Sequence, residues 1–183
     1  MKRMVLLILT AALLLTLTAC GTPQEPLETW PISYNDMTMG CYTRDYASVE
    51  EMLSQEHIIF RGKAVALVRE GEMGIRLELE AIESTGTEKS SIVLLQGKES
   101  RFILKKGEEV VLILFPTTEE GLYCIPNDNL GAFRVDQESG QIYCPRLDSL
   151  LESAPQSYSA KGGKDLTLAQ VYDLLVELDN SGE

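Results

Sequence analysis

His57 is the only histidine of the chain, and Cys20, Cys41, Cys124 and Cys144 are its only thiols. A nucleophilic thiol needs an imidazole within hydrogen-bond reach and a third group to orient the other ring nitrogen. His57 falls at a helix-to-strand junction beside Ile58 and Ile59, and no nearby motif supplies those partners. Zinc needs about four ligands, usually including a closely spaced pair, which one histidine and dispersed cysteines lack. Asp128, between Asn127 and Asn129, offers oxygen ligands of the calcium type. The glycine and closing glutamate of an EF-hand loop are absent, so a turn explains it. There is no glycine-rich phosphate loop, serine elbow or paired-carboxylate motif, and a carboxylate dyad for sugar cleavage would have to be assembled by the fold. The sequence therefore assigns no catalytic residue, no cofactor and no metal.

The N-terminal stretch is more specific. Lys2 and Arg3 precede an apolar run, Met4 to Thr18, broken only by small hydroxyl residues. The run is shorter than the roughly 20 apolar residues that span a bilayer. It ends in Leu17-Thr18-Ala19-Cys20-Gly21, which resembles the lipobox of bacterial lipoproteins. That resemblance implies cleavage after Ala19 and a diacylglyceryl group on the Cys20 thiol. Residues 1–19 are then a signal peptide, and the remainder is held to a membrane, outside the cytoplasm, by an N-terminal lipid anchor. Two acyl chains suffice for stable attachment, since each buried methylene contributes about 0.8 kcal/mol.

Removing residues 1–19 takes out two basic side chains and no acidic one, so the net charge of −12 becomes −14 on 164 residues. That balance opposes nucleic-acid binding, which needs a cationic footprint, and adhesion to anionic lipid. In an oxidising compartment Cys41, Cys124 and Cys144 are expected to pair, with one thiol left over. If the last strands form a simple meander, one strand separates Cys124 from Cys144. They would then stand about 9.6 Å apart, too far for a disulfide. Pairing of Cys41 with either one, pairing of Cys124 with Cys144 across a bent edge, and three reduced thiols all remain open.

The positioning elements follow. Residues 20–33, with Pro23, Pro26 and Pro31, read as an extended flexible tether, ending at Trp30, the only tryptophan, expected to cap the core. Residues 34–180 read as a single domain. Ser48 and Glu51 have capping-box spacing ahead of a short helix from Val49 to about Gln55. Ile75, Leu77, Leu79 and Ala81 alternate with Arg76, Glu78, Glu80 and Ile82, and only Ile82 breaks the strand pattern. Gly62 marks a bulge or bend. Gly71 to Gly74 reads as a hairpin turn, Lys105 to Glu108 as a solvated turn, and Glu109 to Phe115 as a central strand covered on both faces. Pro145 to Gly163 reads as a long surface loop. Thr167 and Gln170 cap an amphipathic helix from Leu168 to about Leu178, which most simply docks on the domain.

Six or seven short strands between glycine-rich turns predict a mainly β fold. The form expected is a small five-stranded oligonucleotide/oligosaccharide-binding (OB-like) β-barrel with a short N-terminal helix and an amphipathic C-terminal helix, with a β-sandwich as the alternative. Arg61-Gly62-Lys63-Ala64-Val65, Leu95-Gln96-Gly97, the block Lys106 to Phe115, Tyr123, Gly131-Ala132-Phe133-Arg134-Val135 and Ile142-Tyr143 resemble small secreted or lipid-anchored bacterial domains of mostly uncharacterised function. The likeness spans about Val49 to Tyr143, implies a barrel-like fold and an envelope location, and brings no catalytic residue with it.

Three roles follow as expectations. The first is a non-enzymatic domain binding another envelope protein through its barrel face or the Pro145 to Gly163 loop. The second is a small-ligand or glycan module, which would gather Tyr34, Tyr42, Tyr46, Phe133, Tyr143 and Tyr158 in one groove. The third is an envelope hydrolase with a dispersed site.

Overall fold

Strand β4 (Glu109–Pro116) carries an unbroken apolar run, and Val110 to Phe115 are all buried. Its side chains divide alternately between two cores. Val110, Leu112 and Leu114 enter one with Phe60, Ala64, Ile75, Leu77, Leu79 and Leu94, and Val111, Ile113 and Phe115 enter the other with Ile59 and Phe133. A strand buried on both faces reads as a continuous hydrophobic run because neither side meets water. The computed structural model describes residues 27–30, 46–71, 74–97, 103–126, 130–159 and 165–182.

The inner core is enclosed by a ring of five strands. Strand β1 (Ile58–Gly71) pairs antiparallel with β2 (Gly74–Ser84), β2 with β3 (Ser91–Gln96), and β3 runs parallel to β5 (Leu122–Cys124). Strand β5 pairs antiparallel with β4, and β4 returns to β1. Two further strands, β6 (Ala132–Val135) and β7 (Ile142–Tyr143), extend the sheet beyond β4, giving the order β1-β2-β3-β5-β4-β6-β7. The fold is mainly β and barrel-like, as expected, and a sandwich of two separate sheets is not formed. The last strands do not form the simple meander considered for the cysteine spacing: β5 lies between β3 and β4, and both β4 and β6 separate it from β7.

Gly62 makes the closure possible. Residues 58–63 of β1 pair with β4, while residues 60–71 pair with β2, so the strand bends from one partner to the other. A Cβ at Gly62 would run into the Glu80 carbonyl oxygen and stand 2.5 Å from Cε1 of Phe60. Only glycine permits that approach.

The outer core is covered by helices. Helix α1 (Val49–Leu53) is capped by Ser48, whose Oγ accepts from Glu51 N–H at 3.2 Å, and it buries Val49 and Met52. Helix α4 (Leu168–Ser181) has both halves of its capping box, Gln170 N–H to Thr167 Oγ1 and Thr167 N–H to Gln170 Oε1, and it buries Leu168, Val171, Leu174 and Leu175. Between β7 and α4 the expected surface loop is instead largely helical. Helices α2 (Leu147–Ser153) and α3 (Gln156–Ser159) dock on the outer core through Leu147, Leu150, Leu151, Ala154 and Tyr158, with Leu150 fully buried. Apolar residues three and four apart form a stripe worth burying, and this outweighs the polar composition around them.

Two other expectations are corrected. Glu108, assigned to a solvated turn, is 3% exposed; its carboxylate meets Arg134 at 2.6 Å and accepts from Lys105 N–H at 2.8 Å. A buried carboxylate is stable only when so partnered. Residues 27–30, expected within the tether, are docked: Glu28 forms an antiparallel bridge with Lys106, and Trp30 donates its indole N–H to the Leu104 carbonyl at 2.5 Å. Trp30 packs on the inner core, the capping place expected of it.

Candidate functional site

Among the described residues, those singled out for chemistry are not brought together. His57 sits where α1 gives way to β1. Its Nδ1 lies 2.7 Å from the Gln55 carbonyl, an acceptor only, so Nδ1 carries a hydrogen. Its Nε2 faces Asp179 Oδ1 of α4 at 3.4 Å. Cys144 lies elsewhere in the outer core. Its thiol donates to the Leu130 carbonyl and accepts from Arg146 N–H, both at 3.4 Å, and burial pushes its pKa up from 9.0 to about 12. A thiol so held is not a nucleophile at ordinary pH. Cys144 is a free thiol, so the pairing of Cys124 with Cys144 is not formed; Cys124 is buried in the same core. Cys20, Cys41 and Asp128 lie outside the described residues.

Two concavities flank the helices. A groove of about 730 Å³ between the ends of α1 and α4 is lined by Glu50, Glu56, His57 and Asp179. A general acid for sugar cleavage needs a raised pKa. Glu50 goes the other way: burial pushes its carboxyl up, but hydrogen bonds with Ser153 and Ser48 hold it below the ordinary value. A cleft of about 410 Å³ lies between β1 and the start of α4, lined in part by Arg61, Lys63, Glu109 and Thr167. Arg61 is already committed there, to Glu83 at 2.7 Å and Glu109 at 2.9 Å. No group of three or more His, Cys, Asp or Glu among the described residues could hold a metal ion, and no helix among them is long and apolar enough to cross a membrane.

The aromatic groove is not assembled from the described residues. Phe133 is fully buried, Tyr46 is buried edge-on to Phe115 with ring centroids 5.4 Å apart, and Tyr158 packs on the outer core. Tyr143 alone of the four is exposed; Tyr34 and Tyr42 lie outside the described residues.

The feature that stands out is the outer face of the β1–β2 pair. The register shifts three times, between Arg61 and Gly62, between Ala64 and Ala66, and between Leu67 and Arg69. Each shift leaves one residue without a cross-strand partner: Ile82, Val65 and Val68 in turn. These three are exposed, at 44%, 37% and 53%, whereas their neighbours Ala81, Ala64 and Leu67 pack on the inner core. A bulge inserts one extra residue and re-aims its side chain. Here every bulge puts a β-branched apolar side chain into water. The charged pairs Arg61 with Glu83 and Lys63 with Glu80, and the pair Arg69 with Arg76, punctuate the same ladder. The sequence carried one trace of this, the break in alternation at Ile82; Val65 and Val68 sit in an apolar run that hides theirs.

The chain matches no protein-family model, no curated protein and no solved structure.

Proposed function

We propose that this chain is a lipid-anchored domain on the extracytoplasmic face of a cell membrane that binds another envelope protein rather than catalysing a reaction. The anchor rests on Leu17-Thr18-Ala19-Cys20. The binding reading rests on one observation: Val65, Val68 and Ile82, three of the four large apolar side chains exposed among the described residues, are held in water by three bulges of one strand pair. Exposed apolar groups set among charges are what a protein interface covers. The Pro145 to Gly163 segment is a poorer surface for a partner, because Leu147, Leu150 and Leu151 already pack on the outer core.

The test has two arms. Cys20→Ser should move the protein from the membrane fraction to the soluble fraction; unchanged retention would refute the anchor. Chemical crosslinking of intact cells should give a discrete protein adduct, and Val65→Asp with Val68→Asp should abolish it. An adduct that survives both substitutions would place the contact on another face.

A further inference from the structure

Among the cross-strand pairs of the outer β1–β2 face, one is out of keeping with its neighbours. Arg61 stands opposite Glu83 and Lys63 opposite Glu80, but Arg69 stands directly opposite Arg76. Like charges in that position weaken a strand pair, and they are unexpected in a chain with 16 basic and 28 acidic side chains. Among the described residues, one carboxylate is bonded to this pair. Glu119, from the turn after β4, takes the Arg76 fork with both oxygens, at 2.6 and 2.8 Å. Arg69 is exposed and forms no ion pair among the described residues, although it is near enough to help Arg76 hold the Glu119 carboxyl below its ordinary value. Arg76 thus spends its fork on Glu119, and the Arg69 fork stays open to a further carboxylate. Val68, 53% exposed, precedes Arg69, and Leu95, half-buried, is paired with Arg76 from the β3 side.

We propose that the Val68, Arg69 and Arg76 corner of the outer face grips a short segment of a partner protein that presents a carboxylate beside an apolar side chain. The proposal rests on the protein-binding reading and gives it a location and a chemistry. The Arg69 fork takes the incoming carboxylate through two parallel N–H donors, as Arg76 takes Glu119, and Val68 and Leu95 shed water against the apolar neighbour. An anionic lipid headgroup offers the same acceptor chemistry, but a net charge of −12 repels an anionic leaflet as a whole. A partner's segment can bring one carboxylate to this corner without a charged plane behind it.

The probe is a phage-displayed library of random linear peptides, selected against the full chain in mild detergent, with the enriched sequences remade as labelled synthetic peptides. Enriched peptides should share Asp or Glu next to Leu, Ile or Phe. Arg69→Glu should weaken them about tenfold or more, while Lys63→Glu, which changes the net charge equally, should not. Peptides with Lys in place of the acidic residue should recover binding to the Arg69→Glu chain. Equal weakening by both substitutions, or no acidic and apolar signature, would overturn the proposal. So would binding to phosphatidylcholine vesicles containing a quarter phosphatidylglycerol that Arg69→Glu abolishes, which would make the corner a membrane contact. A photo-crosslinking residue placed at Val68 or at Tyr143 in intact cells separates the two levels. A protein adduct from Tyr143 alone sinks this corner and leaves protein binding standing, and an adduct from neither sinks both.

Discussion

Glu108 ties three segments together from one position. Its carboxylate meets Arg134 on β6 and the Lys105 N–H, and its backbone carbonyl accepts from Ala64 N–H on β1 at 3.1 Å. Removing one member of a buried ion pair strands the other, at a cost of about 3 kcal/mol or more. Glu108→Ala should lower stability by about that amount, measured by urea unfolding. The double variant with Arg134→Ala should lose clearly less than the sum of the single changes; strict additivity would mean that the pair is not coupled. Cys144 has its own signature. Below pH 9.0 its thiol is protonated in folded and unfolded chains alike; above that the unfolded chain releases the proton and the folded chain, with a pKa of about 12, does not. Its contribution to stability is therefore intact below pH 9.0 and falls away as the pH rises toward 12. Iodoacetamide at pH 8 should leave Cys144 unmodified in the native protein and alkylate it in urea, as read by peptide mass spectrometry.

Helix α4 is held by its buried stripe far more than by its own propensity, as is usual for a helix of 14 residues. Thr167→Ala should cost about 1 kcal/mol through the lost cap, and Leu174→Ala about 2–5 kcal/mol through the cavity it leaves in the outer core. Thermal unfolding followed by circular dichroism should rank them in that order. This helix was legible in the sequence because capping and spacing are local. The same holds for α1, for the alternation of Ile75, Leu77 and Leu79, and for the double burial of β4. Helices α2 and α3 were not legible: Leu147, Leu150, Leu151 and Ala154 have helical spacing, but the serines, Glu152 and Pro155 among them give the composition of a loop. The bulges at Val65 and Val68 escaped for a different reason. A bulge is a relation between two strands, and neither strand carries it alone.

The ring and the helical cover meet in β4, so the molecule has two cores but one shared wall. Leu112→Ala opens a cavity on one side of that wall and Ile113→Ala on the other. Both should shift a single cooperative urea transition to lower concentration with unchanged slope, each by about 2–5 kcal/mol. Two separate transitions in either variant would mean that the cores unfold independently. Closure of the ring was only partly legible. Gly62 pointed to the bend in β1, but the insertion of β5 between β3 and β4 depends on a parallel pairing across residues distant in the chain, which no local pattern encodes. The docking of Leu27 to Trp30 carries a consequence for the whole molecule. With the lipid on Cys20, as proposed, the first of the described residues is only seven positions on, and seven positions reach at most about 25 Å. On that proposal the leash is shorter than a small domain is wide, so the domain would stay beside its bilayer, and a partner would have to come to that same surface or be embedded in it.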